Sequence, residues 1–375
     1  MRTHFAISRI RQQGLSLVEL LVSMVVVAIV LAGVVQLLLD NRSKFRLNNE
    51  IAYIQENVRF AMDELGYELK MAGFNGCGAS ANVANVVNGT DTFYNGFGVE
   101  GWDGSETQAN FPSAFSGELW ATGNATAPDA IIIRRVDSDN AYTTTESPTN
   151  CNAAATLKIA VSHPVPKGTI MVVQTPECSQ VAVFQNSQQN TNSNADQFIS
   201  NTGNSTSPGN CTKDMGGNGT CSDVSSLTGK CFNKGSTVME FVGQAFYIGA
   251  SSIDPTIPAL YRVKLRADEA TGSLDTEAEE LLVGVENMQV KYGVDTDNLF
   301  DGEANRYLDA DEITGVGTLE WDRVVSVRLS LLMRSLSPVW ASNTEFTFEG
   351  ITYDDRLLRQ KVNSTVQLRN LGLVK

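Results

Sequence analysis

The feature that most constrains this chain is a long apolar segment near its N-terminus, residues 15–39, which reads LSLVELLVSMVVVAIVLAGVVQLLL. From Leu20 to Leu39 it carries no charged residue. A helix of this length rises about 30 Å, which is enough to cross the hydrocarbon core of a bilayer. The preceding leader, residues 1–14, contains three arginines and no acid, so this end is predicted to stay cytoplasmic and the remainder of the chain to lie on the opposite side.

One acid, Glu19, interrupts the start of the apolar segment. A charged side chain inside a membrane costs about 2.5–3.5 kcal/mol on insertion scales, so its presence predicts a partner or a function. The alternative is an ordinary signal anchor in which Glu19 reaches toward the membrane interface. An ordinary secretory signal has a shorter apolar region with a small-residue cleavage site after it, whereas here the expected cleavage site precedes the apolar region.

Residues 14–19, GLSLVE, resemble the class III signal of type IV prepilins, in which a glycine is followed by a hydrophobic residue, Thr or Ser, two aliphatic residues and Glu. The resemblance implies that a prepilin peptidase cleaves after Gly14 and that the new amine of Leu15 is methylated. Because an N-terminal amine is cationic near neutral pH, it can pair with the Glu19 carboxylate of a neighbouring subunit. In a medium of low dielectric constant this pairing offsets the cost of burying the charge and fixes the register between subunits.

Residues 40–73 are predicted to continue the helix as an amphipathic segment. Apolar residues recur there at three- and four-residue spacing, which is typical of a helix with one buried face. They are Ile51, Ile54, Val58, Ala61, Met62, Leu65, Leu69 and Ala72. Gly73 is a typical C-terminal stop. We expect this face to pack on the protein's own sheet, with a partner helix as the alternative; the resemblance to pilins allows both.

Composition restricts the rest of the chain, residues 74–375, to an acidic head outside the cytoplasm. The net charge of the 375 residues is −14, and loss of the three leader arginines makes it −17. A strongly acidic head argues against binding to nucleic acid, whose usual partner is a basic face, and against docking on anionic lipid. About 335 residues follow the apolar segment, enough for one large or two modest domains.

Six cysteines follow the apolar segment, on the side where disulfides persist. They are Cys77, Cys151, Cys178, Cys211, Cys221 and Cys231. Three bridges can pair in fifteen ways, which the sequence does not sort. A zinc site is not expected, because no CxxC motif is present and the histidines are His4 and His163 alone.

The head is predicted to be β-rich, which gives an α+β, pilin-like fold class with a long N-terminal helix packed on a large antiparallel sheet structure. The predicted strands are Ala130–Val136, Leu157–Val161, Thr169–Gln174, Val181–Gln185, Val238–Ile248, Ala259–Arg266, Leu281–Tyr292, Val324–Arg334 and Thr344–Tyr353.

Two segments, 78–128 and 186–235, are predicted to be loop insertions. In the second, residues 186–222 are so polar that we interpret them as a surface excursion without a core, held by Cys211 and Cys221. The first is rich in aromatic residues, which either form a sugar-binding or adhesive surface or pack the loop.

Four segments after the helix resemble the PilW-type minor pilins: MAGFNGC at 71–77, VENMQVKYGVDTD at 285–297, VVSVRLSLLMRS at 324–335, and DDRLLRQKVNSTVQLRN at 354–370. The resemblance implies a low-abundance subunit that helps to prime filament assembly. Its implied partners are the other minor pilins, the major pilin, a large tip adhesin and the prepilin peptidase.

One segment, residues 295–312, concentrates acids that suit hard cations. Its candidate ligands are Asp295, Asp297, Asp301, Asp309, Asp311 and Glu312. The first three have a spacing similar to a calcium loop, but the central glycine and closing Glu of an EF-hand are missing. We therefore expect either a calcium site or a solvated acidic turn, and no other cofactor.

No catalytic motif is present, so an enzyme is not expected. His163 is expected to be structural. The first hypothesis is a minor pilin, held in the inner membrane by one span with a periplasmic head and later part of a pilus. The alternatives are a pseudopilin of a type II secretion or DNA-uptake system and a membrane-anchored carbohydrate-binding or adhesion module.

Overall fold

The computed structural model describes residues 16–77, 81–107, 110–115, 119–121, 127–148, 155–188, 196–203, 205–315 and 319–371. The chain divides into two compact units, Met1–Ala52 and Tyr53–Lys375. One helix, α1 (Leu17–Met71), belongs to both units. The predicted fold class is confirmed, because a long apolar N-terminal helix is followed by a large β-rich head.

The described part of the head contains nineteen strands. They are β1 (Asn82–Asn85), β2 (Gly98–Trp102), β3 (Ala130–Thr143), β4 (Ala155–Lys158), β5 (Ile170–Gln174), β6 (Gln180–Gln185), β7 (Gln197–Ser200), β8 (Gly216–Gly217), β9 (Gly219–Thr220), β10 (Leu227–Thr228), β11 (Thr237–Ala250), β12 (Pro258–Ala267), β13 (Leu274–Val283), β14 (Val285–Val294), β15 (Arg306–Leu308), β16 (Val324–Arg334), β17 (Thr344–Phe348), β18 (Ile351–Asp355) and β19 (Arg359–Gln367).

The second part of α1, residues 40–71, is called the head half here, and it buries the predicted apolar stripe. Its fully or nearly fully buried members are Ile54, Val58, Ala61, Leu65 and Leu69, which follow the three- and four-residue spacing of one helical face. The helix ends at Met71, and Gly73 follows with φ of +78°, a left-handed conformation that glycine adopts without strain.

The larger sheet has nine strands, with the order β13-β12-β11-β5-β6-β1-β9 and with β3 pairing both β11 and β2. Its central strands are buried on both faces. Ile131 and Ile133 of β3 pack in the same core as α1, whereas Ala130 and Ile132 pack in a second core on the other face. This double burial explains why β3 begins with an unbroken apolar run instead of an alternating one.

The smaller sheet has four antiparallel strands in the order β15-β14-β16-β19, and it shares a hydrophobic core with the head half of α1. Met288 and Val290 of β14 share one core cluster with Leu329 and Leu331 of β16 and with the buried stripe of α1. Because the same cluster also contains Ile131 and Ile133 of β3, the head half of α1 shares its core with both sheets.

Two predicted strands are each divided in the structure. The predicted strand Leu281–Tyr292 is wrong, because Gly284, with φ of +90°, separates β13 of the larger sheet from β14 of the smaller one. The predicted strand Thr344–Tyr353 is also wrong. Glu349 and Gly350 both have positive φ and form a two-residue turn between β17 and β18, as expected for a tight hairpin.

Two further expectations need correction. The polar segment 186–222 contributes to a core after all, because Phe198 and Met215 are buried together with strands β5 and β6. Short strands lie within both predicted insertions, namely β1 and β2 in 78–128 and β7 to β10 in 186–235. The antiparallel expectation holds except at β1, which pairs with β6 and β9 in parallel.

Candidate functional site

The apolar half of α1 is a surface without a partner in the described chain. Its large apolar side chains between Leu17 and Leu39 are exposed by 45% at Leu20 to 76% at Leu17. Among the described residues this is the one helix long and apolar enough to cross a membrane. A patch of this size marks a membrane or protein contact, because soluble monomers rarely expose one.

Glu19 lies in the first turn of this helix. The first helical hydrogen bond nearby runs from the Leu20 amide to the Ser16 carbonyl, at 3.1 Å. An acid in a first turn is favoured by the helix dipole. No described residue forms a salt bridge with Glu19, whose side chain is exposed and available to another molecule. Gly14 and Leu15, the predicted cleavage pair, lie outside the described residues.

Two acids that belong to no recognisable sequence motif fix the head half of α1 to the larger sheet. Glu68 is buried beside the apolar stripe, and Arg135 of β3 donates to its two carboxylate oxygens at 2.7 and 3.0 Å. Glu64, one turn earlier, accepts from Arg262 of β12 at 2.7 Å. Burial lowers the pKa of Arg135, but the hydrogen bonds and charge of Glu68 outweigh burial and raise it above its usual value.

The structure brings together three of the predicted metal ligands. Asp295, Asp297 and Asp301 each offer a carboxylate oxygen, and these oxygens lie within 4.8 Å of one another. Asp309 lies outside this group and binds Lys291 at 2.6 Å. Asp311 also lies outside the group, on a short 3-10 turn that begins after Asp309.

The protein's own hydrogen bonds already hold the carboxylates of this group. Both oxygens of the buried Asp295 are occupied, since they accept hydrogen bonds from the amides of Asp297, Asp301 and Gly302. Arg323 adds the positive charge that an ion would supply, and it donates to the Asp295 and Asp297 carbonyls at 2.8 and 2.6 Å. Burial raises the pKa of Asp295, but these amides and Arg323 together hold it below its usual value. The group therefore closes a turn.

A second buried acid, Asp129, connects the predicted insertion 78–128 to the smaller sheet. Its carboxylate accepts from the Gly104 amide at 2.9 Å and from the Val290 amide at 2.7 Å. Burial is the main cause that raises its pKa to about 8, and Asp103 and Asp309 add to the shift. The sequence offered no sign of this role, because Asp129 simply precedes a strand.

The aromatic residues of segment 78–128 pack inside the head. Phe93, Phe111 and Phe115 are buried, and Phe115 stacks on Tyr247 at 5.1 Å between ring centroids. They therefore offer no exposed stacking platform for a sugar. His163 is also buried, donates to the Gln197 carbonyl at 3.1 Å and stacks on Phe198, so its role is structural.

Disulfide bonds cross-link segments of the head. Cys77 pairs with Cys178 and Cys211 pairs with Cys221, while Cys231 is also disulfide-bonded. Cys151 lies outside the described residues. The first bridge joins the segment just after α1 to the turn between β5 and β6, and the second closes the polar excursion as expected.

Two known family models match parts of this chain. Residues 245–370 match the family model described as type IV pilus-assembly protein W, and residues 9–35 match the prokaryotic N-terminal methylation motif. The chain belongs to the PilW family of type IV pilins. No curated protein and no solved structure matches it. The match of this PilW-family pilin begins inside β11 and contains all four strands of the smaller sheet.

The family and the exposed helix together give the location. This PilW-family pilin is anchored in the inner membrane by the apolar half of α1, carries its head in the periplasm, and later becomes part of a pilus. It is a minor pilin that assembles with other pilins. Both matching families are pilin structural or assembly families and not enzyme families.

Proposed function

We propose that this minor pilin helps to prime filament assembly and occupies a position at or near the filament tip. The match of residues 245–370 to the pilus-assembly family carries the proposal. A large acidic head with disulfides suits a specialised subunit present in few copies better than a bulk subunit that must repeat along a fibre. Its partners in this role are the other minor pilins, the major pilin and a large tip protein.

The mechanism begins with removal of the leader. Cleavage after Gly14 by the prepilin peptidase exposes an amine on Leu15, which is then methylated and remains cationic at neutral pH. Glu19 of a neighbouring subunit accepts this amine when the apolar helices pack together. Two unit charges about 4 Å apart attract each other by about 4 kcal/mol at an effective dielectric constant of about 20, which offsets a large part of the cost of placing the acid and the amine in the membrane.

Deletion of the gene tests the priming role. A subunit that primes assembly controls how many filaments start and not how long each one grows. Electron microscopy of the deletion strain should therefore show far fewer surface filaments of ordinary length. A normal number of filaments would contradict priming. Normal filaments with lost secretion would support the pseudopilin alternative, and normal filaments and secretion with lost adhesion would support the adhesive one.

Substitution of Glu19 tests the pairing. Glu19→Ala should leave membrane insertion intact, since it removes a charge from the apolar segment, but should lower the amount of protein in sheared filaments. Ser23→Ala is the matched control, because Ser23 is one turn further along the helix and its hydroxyl bonds to the Leu20 carbonyl of its own helix. Equal incorporation of the two variants would refute the pairing.

A further inference from the structure

The outer edge of β19 differs from the other edges of the nine-stranded and four-stranded sheets in the described head. Native proteins shorten, charge, bulge or cover edge strands, since an open edge pairs with other chains. Strands β9 and β15 have two and three residues, and β2 is buried along most of its length. Strand β13 carries alternating acids and lies across a register irregularity in its pairing with β12. Strand β19 has nine residues and an unbroken register.

Hydrogen bonds at both ends of β19 show which of its backbone groups face outward. The Ser335 amide donates to the Leu358 carbonyl, and the Leu368 amide donates to the Val325 carbonyl. Opposed residues of an antiparallel pair alternate between bonded and non-bonded positions, so the even-numbered residues of β19 bond to β16. The amides and carbonyls that point away from β16 belong to Lys361, Asn363, Thr365 and Gln367.

These outward groups are free within the part of the chain that the structure describes. Their amides and carbonyls hydrogen-bond to no described residue, and their side chains are exposed. The edge is therefore a row of unpaired donors and acceptors along most of β19. Backbone groups spaced in this way match those of one extended strand from another chain.

A groove beside this edge has room for that strand. It has a volume of about 380 Å³ and lies between Ser364–Gln367 of β19 and the α1 residues Met62, Gly66 and Lys70. A Cβ atom at Gly66 would meet nothing within 4 Å. Glycine is unfavourable in a helix interior, and here its missing side chain leaves space for close approach by another backbone.

The charges around the groove favour an acidic occupant. Lys70, Lys361 and Arg369 are exposed, and none of them forms a salt bridge with a described residue. The one acid lining the groove, Asp63, lies 3.8 Å from Arg59. This basic patch stands out on a chain with a net charge of −14. It also disfavours a second copy of the same strand, because two basic edges would repel.

We propose that β19 accepts an extended, acidic segment of another pilus-assembly subunit as a fifth strand of the smaller sheet, lying along the groove beside Gly66. The proposal rests on the proposed function, since the partner is a neighbour in the assembling filament. It adds the mode of contact: backbone pairing gives the affinity, and the basic patch selects the sequence.

Photo-crosslinking in cells tests the contact with the full-length protein. A benzophenone amino acid is placed at Asn363, and the matched control position is Glu277 on the acidic edge β13. The Asn363 position should yield one crosslinked partner, and mass spectrometry should map the crosslink to an acidic, extended peptide. A crosslink to a second copy of this chain, or a yield no higher than at Glu277, would overturn the proposal.

A pair of substitutions then isolates the backbone contribution. Thr365→Pro removes an outward amide while leaving the bonds to β16 in place, and proline is tolerated at such positions of an edge strand. Thr365→Ala keeps the amide. The crosslink yield should fall about tenfold with proline and stay within about twofold with alanine. Equal yields from the two variants would contradict strand addition.

A second proline variant allows the same test if the first variant is not produced in the cells. Asn363→Pro with the crosslinker moved to Lys361 serves if Thr365→Pro does not accumulate. The same cells are sheared to measure filament content. Protein present in filaments without a crosslink at β19 would refute the strand-addition proposal alone, whereas a crosslinked protein absent from filaments would refute the proposed function.

Discussion

Arg359, the first residue of β19, is the position where one substitution should most weaken the head. Its side chain is 1% exposed and donates four hydrogen bonds. Two reach Glu286 of β14 at 2.6 and 3.0 Å, and two reach Asp355 of β18 at 2.7 and 2.8 Å. Arg359→Met would keep the aliphatic stem and remove all four bonds.

The expected loss of unfolding free energy follows from the acidic groups that the substitution leaves without Arg359. Glu286 is 8% exposed, and its only other cation among the described residues is Arg334 at 3.5 Å. Breaking a buried ion pair costs about 3–5 kcal/mol, because it leaves a charge without a partner. Asp355 is 40% exposed and can be hydrated after the substitution, so we expect a loss at the lower end of this range, about 3 kcal/mol. For a head of this size, with an unfolding entropy of about 2.1 cal/mol/K per residue, that lowers the melting temperature by about 4–5 °C.

The assay is thermal unfolding of the full-length protein in detergent, followed by tryptophan fluorescence. Lys361→Met is the matched control, two residues along the same strand and exposed, and it should shift the free energy of unfolding by less than about 0.5 kcal/mol. Adding Glu286→Gln to Arg359→Met should restore part of the loss, since the unpaired charge is then gone. Equal melting temperatures for Arg359→Met and Lys361→Met would refute the reasoning.

The pH dependence gives an independent check on the same residue. The hydrogen bonds from Arg359 are the main cause that holds the pKa of Asp355 below its usual value. A lowered folded-state pKa stabilises the protein above the unfolded pKa, about 3.9, and the contribution disappears as the pH falls through the folded value. The stability gap between the wild type and Arg359→Met should therefore narrow below about pH 4.

Three further predictions concern the bridges, the acidic turn and Asp129. Replacing both cysteines of the Cys77–Cys178 bridge by serine should cost about 4–5 kcal/mol of unfolding free energy, against about 2–3 kcal/mol for Cys211–Cys221, because the first bridge spans 101 residues and the second spans 10; similar losses in urea titrations would contradict this. Calcium added to chelator-treated protein should leave the melting temperature unchanged, and a rise would restore the predicted site. Because burial raises the pKa of Asp129 to about 8, stability should fall as the pH rises from about 4 toward 8, and Asp129→Asn should lose less melting temperature over that range than the wild type; equal slopes would show that Asp129 is not responsible.

The parts of the fold that local periodicity determines were predictable from the sequence. The stripe from Ile54 to Leu69 has helical spacing, and strands β11, β12 and β16 are rich in β-branched and aromatic residues. These patterns depend only on neighbours within a few positions. The segment around Glu19 was also predictable from local sequence, because one acid interrupts an otherwise apolar run.

The parts of the fold that the sequence did not predict depend on contacts between residues that are distant in the chain. Glu68 looks like one more polar residue of an amphipathic helix until its partner, Arg135, is known. Gly284 lies inside an apparently continuous apolar strand, and only the change of sheet reveals its turn.

The polar excursion looked coreless because it contains few apolar residues. Its order comes from buried amide side chains as well as from the buried Phe198 and Met215. The Gln185 side chain bonds to the Gly168 and Ser207 carbonyls and to the Gly209 amide. Composition does not predict such a network, because it requires the geometry of three separate segments.

The central claim is that this chain enters a pilus as a processed minor subunit, and the N-terminal peptide of the filament-bound protein tests it most directly. Mass spectrometry of sheared, purified filaments should identify a peptide that begins at Leu15 with a methylated amine, present at a small fraction of the amount of the major pilin. Detection of leader residues 1–14 on the filament-bound protein, or absence of the protein from filaments of a strain that expresses it, would contradict the account.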